Sequence, residues 1–235
     1  FAAGQHPGRP VMKLTPAQIT QLARHPLFSA IPNGHLTDAL KCLNASCQTF
    51  SPEEVLFTVH EPLTRLGILL SGDVLLERED FWGARLILGH AGRGRIIGEV
   101  YACLRHEPMD VWAVATTPVT VLFLDIHNSL DPRSHCPYTA ALLSGLVPLL
   151  AQKTLALSRR VEHASKHSIR QKVLSYLSQQ ADIQNSDTFD IPLNRQELAD
   201  YLGVDRSALS TALSKMKKDK LITCRKNHFT LLEPQ

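Results

Sequence analysis

The chain has 235 residues and a mass of 26.1 kDa, room for one large domain or two small ones. Hydrophobic residues make up 44% and charged residues 20%, a globular composition that excludes disorder as the main state. The net charge is +3, and the five cysteines contain no Cys-x-x-Cys pair, which speaks against a disulfide-built secreted scaffold and against a structural zinc or clustered iron–sulfur site. No apolar run approaches the ~20 residues of a bilayer-crossing helix, so no membrane partner is expected. Phe1–Pro10 lacks the apolar centre of a signal peptide and begins without Met; it is expected to be a processed or cloning-derived tail.

Leu14–Ala30 reads as helical: Thr15 is a cap, Pro16 suits the first turn, and His25-Pro26 is the stop. From Thr49 to Asp125 the texture changes to short β-rich runs: Val55–Val59, Leu66–Leu70, Val74–Glu77, Arg85–Leu88, Val111–Ala115 and Val119–Leu124. Ser71-Gly72-Asp73, a break at Trp82-Gly83, and Gly89, Gly92, Gly94 and Gly98 punctuate them, as in a β-sandwich or barrel.

Ser134-His135-Cys136-Pro137 reads as a helix start. Beyond it Leu143, Val147, Leu150, Thr154, Leu157, Val161 and Ala164 recur at spacings of 4 and 3, the stripe of a two-helix seam. The other faces carry Gln152, Lys153, Arg159, Arg160 and Glu162, which favours a partner helix over packing within one domain. Pro148 predicts a kink, or a break between Gly145 and Pro148.

Ser168–Leu232 is expected to be a separate unit. Ser168 to Gln171 looks like a capping box for a helix to about Ala181, followed by a polar linker at Ile183–Thr188 and a short extended piece at Phe189–Pro192. Asn194 with Glu197 opens a second helix; Gly203 closes it, Val204 fills a turn, and Asp205 caps a third helix with Leu209, Ala212, Leu213 and Met216 inward. A small Ala199 where helices cross and apolar residues at Leu198, Leu202, Val204, Leu209 and Ala212 complete the steric pattern of a helix–turn–helix. Ile222–Arg225 and Phe229–Leu232 flank Lys226-Asn227-His228 as a hairpin wing, with Asn227 suited to positive φ.

Charge follows the same division. Residues 1–164 balance 14 basic against 14 acidic side chains, whereas Arg206–Lys226 holds seven basic residues against Asp219 alone, a net +6. Such a patch attracts a phosphate backbone. The third helix would present Arg206, Ser207, Ser210, Thr211 and Ser214 to base edges, with Arg206 able to grip guanine through two bonds and Lys215, Lys217 and Lys218 meeting phosphates. Asn194, Arg195 and Gln196 at the start of the preceding helix join them as candidate DNA-binding residues.

The order of glycine-rich β-barrel, long dimerising helix and winged helix–turn–helix, with Arg95-Ile-Ile-Gly-Glu99 and Asn194-Arg-Gln-Glu-Leu-Ala-Asp-Tyr-Leu-Gly203, resembles the Crp/Fnr family, the cyclic-AMP receptor protein and its relatives. The resemblance covers roughly Leu22 to Leu232. It implies an α+β chain: an effector-sensing, cyclic-nucleotide-binding-like β-barrel of jelly-roll type over 12–133, a dimerisation helix and hinge over 134–167, and a winged helix–turn–helix over 168–235. It implies a cytoplasmic bacterial regulator, not an enzyme, that binds a palindromic operator as a homodimer under control of a small effector and engages RNA polymerase if it activates.

Departures from the family pattern narrow this. Cyclic-AMP binders of the family hold the cyclic phosphate with an Arg-Ser pair, and here Met109-Asp110 stands in that place before Val111 and Trp112, putting a carboxylate where a phosphate would lie. The expected effector is therefore not cyclic AMP, and its identity is open. Gly98-Glu99 survives; in the family that Glu meets ribose, and a structural turn is the other reading. Tyr101, Cys103 and Thr154 complete the candidate effector pocket, with Cys103 either a redox-sensing thiol or a small buried apolar residue. Cys42 and Cys47 do not make the cysteine cluster of the oxygen-sensing relatives. Many relatives carry Arg where Thr211 stands, so the operator is expected to differ from the common one.

A second class of function is a cupin-like metal enzyme with a fused DNA-binding tail. It needs paired histidines with a downstream Glu on adjacent strands. His60-Glu61 and His90 do not supply them, His106, His127, His135, His163 and His167 are scattered, and no metal or other cofactor is expected.

Overall fold

The computed structural model describes residues 14–57, 59–79, 85–104, 107–126, 133 and 135–232. The N-terminal tail, the Trp82-Gly83 break, Ser134, His106 and His127 lie outside them. The chain divides into two compact units, residues 1–150 and 151–235.

The first unit begins with α1 (Pro16–Ala23), where the Thr15 hydroxyl accepts from the Gln18 amide and the Gln18 side chain answers to the Thr15 amide. The helix expected to run further stops at Arg24, and a 3-10 turn, Pro26–Phe28, follows once Pro26 has removed a donor. Next come α2 (Leu36–Cys42), β1 (Ser46–Phe50), β2 (Arg65–Ser71), β3 (Val74–Glu79), β4 (Arg85–Ala91), β5 (Ile96–Ile97), α3 (Glu99–Cys103), β6 (Trp112–Ala115) and β7 (Val119–Asp125). They build two antiparallel sheets, ordered β1-β7-β2-β5 and β4-β3-β6.

Period-two alternation gives the unit two cores. Leu69, Val121 and Phe123 face Val74, Ala113 and Ala115 of the other sheet, while Leu66, Ile68, Leu122 and Leu124 face the helical layer that holds Leu22, Leu27 and Leu40. Burial on both faces explains why β2 and β7 read as continuous apolar runs rather than alternating ones. Phe123 stacks edge-on with Phe50 and Phe57.

Several elements depart from the sequence reading. Among the described residues of Val55–Val59 there is no strand: Val55 makes a single bridge to Val114, and the backbone turns into positive φ on either side, at Glu53 and at His60. The helices α2 and α3 and the strands β1 and β5 were not anticipated as such. Their periodicity is too short to register, the longest being seven residues. Cys42 and Cys136 form a disulfide, with Cα atoms 5.9 Å apart and 94 positions apart in sequence, which the low density of cysteines gave no reason to expect.

The long helix α4 (Thr139–Ala164) starts three residues after Cys136 and runs through Pro148 without the anticipated break. Its first turns are held by packing that outweighs the missing hydrogen bond: Leu142 and Leu146 are fully buried, and Gly145 lies so close to Leu27 that a Cβ would come within 2.3 Å of its carbonyl oxygen. Among the described residues α4 is also long and apolar enough, by length and composition alone, to span a membrane, with a mean hydropathy of 1.5 over an 18-residue stretch. Its uninterrupted apolar runs are too short to announce such a stretch in the sequence. Gly, Ser, Thr and Pro scattered among its leucines interrupt the apolar run without lowering the average much, and a core helix can pass the same test.

The second unit contains the rest of α4, α5 (Ile169–Gln184), β8 (Thr188–Asp190), α6 (Arg195–Leu202), α7 (Arg206–Lys218), β9 (Ile222–Arg225) and β10 (His228–Leu231). Ser168 caps α5 by accepting from the Gln171 amide. The helix outlasts its expected end and consumes the start of the supposed linker, closing on Asn185 at φ 48°. The strands form an antiparallel sheet ordered β8-β10-β9. Its two-residue turn places positive φ on Lys226 and not, as expected, on Asn227. One core joins Val173, Tyr176, Leu198, Ala199, Leu202, Leu209, Leu213, Met216, Ile222 and Phe229.

Candidate DNA-reading surface and effector pocket

The geometry of α6 and α7 follows from their caps. The Asn194 side chain accepts from the Gln196 and Glu197 amides, and Glu197 returns a bond to the Asn194 amide. Gly203 takes φ 62°, and its amide bonds back to the Asp200 carbonyl. Asp205 then accepts from the Ser207 hydroxyl and from the Ala208 and Ser207 amides at 3.0 and 2.7 Å, and these bonds, the hydroxyl's first, hold its carboxyl below the usual carboxylate range. Leu209, Leu213 and Met216 are buried, so the opposite face of α7 is fixed outward: Arg206, Ser207, Ser210, Thr211, Ser214, Lys215 and Lys217 are all exposed.

On that face the small side chains are tied to their own helix. The Ser210, Thr211 and Ser214 hydroxyls donate to the carbonyls four residues earlier, at 2.9–3.1 Å. Each oxygen is left as an acceptor, and Arg206 is the candidate base reader with a donor fork. Lys215, Lys217 and Lys218 cluster in the last turn. Asp219, the acid in this patch, pairs with Arg170 of α5 at 2.9 Å.

The three candidates at the start of α6 have work inside the unit. Asn194 is the cap. Arg195 bonds to the Lys226 carbonyl at 3.1 Å and lies over the Phe229 ring at 5.1 Å, fastening the wing. Gln196 is exposed and donates to Asp200 at 2.9 Å.

Sequence reasoning missed a polar cluster at the end of α4. Arg160 donates to the Asp200 and Tyr201 carbonyls at 3.0 and 3.1 Å, and its guanidinium sits 5.6 Å from the Tyr201 ring centroid. His163, only 2% exposed, bonds to Ser175 and Gln179 at 2.9 and 3.0 Å and meets the Tyr176 and Tyr201 rings. Burial and the neighbouring Tyr201 push the Tyr176 phenol up to about 12. A histidine in the middle of a polar stretch carries no sequence signal for this role.

In the first unit the candidate effector residues come together in part. Gly98 takes φ 74° and starts α3, where a Cβ would strike Leu63 and Phe57. Glu99 is buried, Met109 is buried in the core between the sheets, and Tyr101 packs against that core. Asp110 is exposed; Tyr101 donates its phenol to it, and Arg78 of β3 pairs with it at 2.8 Å. The Tyr101 bond, with Arg78, holds the Asp110 carboxyl low. Burial, then Asp110, pushes the Tyr101 phenol up. Cys103 is half-buried, and burial with the nearby Glu99 pushes its thiol up, the direction that disfavours a reactive thiolate. Thr154 lies on α4 in the second unit. Among the described residues no three His, Cys, Asp or Glu side chains gather as a metal site; His163 lies in α4 and His167 beyond its end.

Along α4 the candidate dimer residues divide. Val147, Leu157 and Val161 are 61%, 62% and 60% exposed. Leu143 and Leu150 are half-buried and pack against the helical-layer core of their own unit.

Comparison with known proteins agrees with this geometry. Residues 47–130 match the cyclic nucleotide-binding domain, and residues 171–235 match the Crp-like helix-turn-helix domain. A global nitrogen regulator of Nostoc sp. is 25% identical over 192 residues, spanning 80% of this chain and 85% of the relative. Among solved structures, CprK complexed with OCPA superposes with a TM-score of 0.60 at 16% identity, over 86% of this chain and 92% of that one. The c-di-GMP responsive regulator CLP of Xanthomonas campestris gives 0.54 at 18% identity, over 84% and 99%. These two structures share the fold.

Proposed function

The chain belongs to the Crp/Fnr-type transcription regulators, and we propose that it works as a homodimer on an inverted-repeat operator, governed by an effector other than cyclic AMP. The observation that carries this reading is the exposed face of α7: a base-reading Arg206 at its start, acceptor hydroxyls along it, and three lysines at its end. Two such helices related by a two-fold axis, about 34–36 Å apart, read two half-sites one helical turn apart. The axis runs along the exposed Val147, Leu157 and Val161 of α4, whose apolar surface a second copy would cover.

In the barrel, Asp110 supports an effector other than cyclic AMP. Its carboxylate already occupies Arg78 and Tyr101, and a phosphate there would meet a like charge. That proteins of this fold include one complexed with OCPA and one responsive to c-di-GMP fits a barrel whose ligand varies. The effector acts by binding one arrangement of the dimer better than the other, and a switch from mostly off to mostly on takes about 5 kcal/mol of differential affinity. The regulator works in the bacterial cytoplasm, where its DNA lies, and an activating form would also contact RNA polymerase.

Selection of duplexes from a randomised pool tests the DNA reading: an inverted repeat is expected, and recovery of no enriched sequence would overturn it. Calorimetric titration with cyclic AMP tests the pocket, and micromolar affinity would sink that part.

A further inference from the structure

The outward face of α7 has hydroxyl protons that are already committed. Every exposed side chain between Arg206 and Lys215 is a hydroxyl: Ser207, Ser210, Thr211 and Ser214. Ser210, Thr211 and Ser214 meet the carbonyls of Arg206, Ser207 and Ser210 at 3.0, 3.1 and 2.9 Å. A carbonyl can only accept, so each hydroxyl gives its one proton to its own helix. Ser207 meets Asp205 at 2.5 Å, and that ionised carboxylate also can only accept. What the four oxygens turn outward is therefore lone pairs. The charged donors of this face sit at its ends, in the Arg206 fork at the start and in Lys215, Lys217 and Lys218 of the last turn.

In the major groove each base pair offers one amino group, on adenine N6 or cytosine N4, while thymine O4 and guanine O6 are acceptors. A committed hydroxyl set against an amino base gains a hydrogen bond; set against a keto base it faces another lone pair. To donate to the keto base it must first break the bond to its own helix, which exchanges one bond for another and adds none. We propose that Ser207, Ser210 and Thr211 read the operator as acceptors, selecting adenine or cytosine on the strand they face against guanine or thymine, without telling adenine from cytosine. From Ser207 to Thr211 the helix rises roughly 6 Å, so the hydroxyls cover about two neighbouring base pairs beside the one that Arg206 grips. Each half-site then has one sharp position, set by the guanidinium fork, and degenerate positions that admit two of the four base pairs. This inference rests on the regulator reading and adds to it the class of sequence selected.

The test uses the full-length protein and a duplex recovered by selection from a randomised pool. At the degenerate positions, exchanging A·T for C·G in the same orientation should leave affinity nearly unchanged, and reversing the pair should weaken it about 3- to 10-fold, the scale of one hydrogen bond. Base analogues then separate accepting from donating. With adenine at such a position, replacing it by purine, which lacks the 6-amino group, should weaken wild-type binding by the same factor. Replacing it by 7-deazaadenine, which keeps the amino group and loses the N7 acceptor, should change nothing. The same analogues placed between the half-sites control for duplex stability. Thr211→Val keeps the shape and a methyl but loses the lone pairs; it should abolish the purine effect at one position per half-site, and Ser210→Ala should do so at another. A loss with 7-deazaadenine and none with purine would mean that the hydroxyls donate, and this overturns the proposal. So does a purine effect that survives in Ser207→Ala, Ser210→Ala and Thr211→Val alike, because another group would then read the amino bases. An enriched sequence without degenerate positions overturns the proposal and leaves the regulator reading standing, whereas recovery of no enriched sequence overturns both.

Discussion

The two units are fastened in opposite ways. In the DNA-binding unit, the bonds that define α6 and α7 run between residues two or three apart, from Asn194 to Glu197 and from Asp205 to Ala208, and one core suffices. The barrel unit is closed by distant partners: β1 pairs with β7 across about seventy residues, and the Cys42–Cys136 bond spans 94. A unit held by local caps presents a rigid, repeatable surface, which suits reading DNA. A unit closed by long-range pairing can change an exposed residue such as Asp110, two positions before β6, without disturbing what closes it.

The largest expected effect breaks the contact that would join two copies. Leu157→Asp introduces one carboxylate per protomer into the proposed seam, and two unpaired buried charges cost on the order of 5 kcal/mol or more. Because Leu157 is 62% exposed in the single chain, the variant is expected to fold normally. Sedimentation should show monomers with weak operator binding. A variant that remains dimeric would remove α4 from the interface. Leu150→Asp should also give monomers, but Leu150 packs in its own unit, so it loses some fold stability as well.

Next in size is the disulfide. Opening a loop of 94 positions removes about 4–5 kcal/mol of stability on the chain-entropy account. Cys42→Ser, or reduction of the wild type, should lower the melting temperature of the barrel unit and leave the winged unit unmoved. Calorimetry that resolves both transitions checks this. A shift in both would mean that the units do not melt independently.

Arg206 and Lys217 sharpen the comparison within the DNA-binding unit. Arg206→Ala should cost roughly 1–3 kcal/mol on the selected operator and relax preference at one base pair per half-site. Lys217→Ala should weaken all sequences alike and lower the salt slope by about one. Exchanged signatures in a binding titration would mean that α7 meets the groove in another rotational phase, and the places of Ser207, Ser210 and Thr211 would change with it.

The same contrast explains what could be read from the residues alone. Asn194, Gly203 and Asp205 announce their helix ends because each cap needs a particular residue type at a fixed spacing. Gly98 and Met109-Asp110 were legible only through a family pattern, since the bond from Asp110 to Arg78 crosses between strands distant in sequence. The disulfide, the short α2 and α3, and the helix running through Pro148 all depend on packing with no local signature. His163 and Arg160 stayed hidden for a related reason: a side chain that bonds to another helix's carbonyls or amide looks like any exposed polar residue until that helix is placed.

The smallest effect concerns acid, and it belongs to the barrel unit. His25 is half-buried between α1 and the 3-10 turn; its Nε2 meets the Gly94 carbonyl at 3.0 Å, and its Nδ1 accepts from the Leu27 amide at 3.1 Å. That pair of bonds requires the neutral ring, with the proton on Nε2, because a proton on Nδ1 would face the Leu27 N–H. Burial accordingly lowers its pKa below 6.5, with the Gly94 carbonyl opposing more weakly. Below pH 6.5 the unfolded chain binds a proton that the native ring resists, so stability falls as the pH drops from 6.5 through the lowered native value; above 6.5 His25 contributes no slope. Melting of the barrel unit followed from pH 7.5 to 5 should show this loss, and His25→Gln should flatten it in that window. If the variant keeps the full slope, the acid sensitivity of the barrel lies elsewhere, and His25 is only a link between the helical layer and the turn at Gly94.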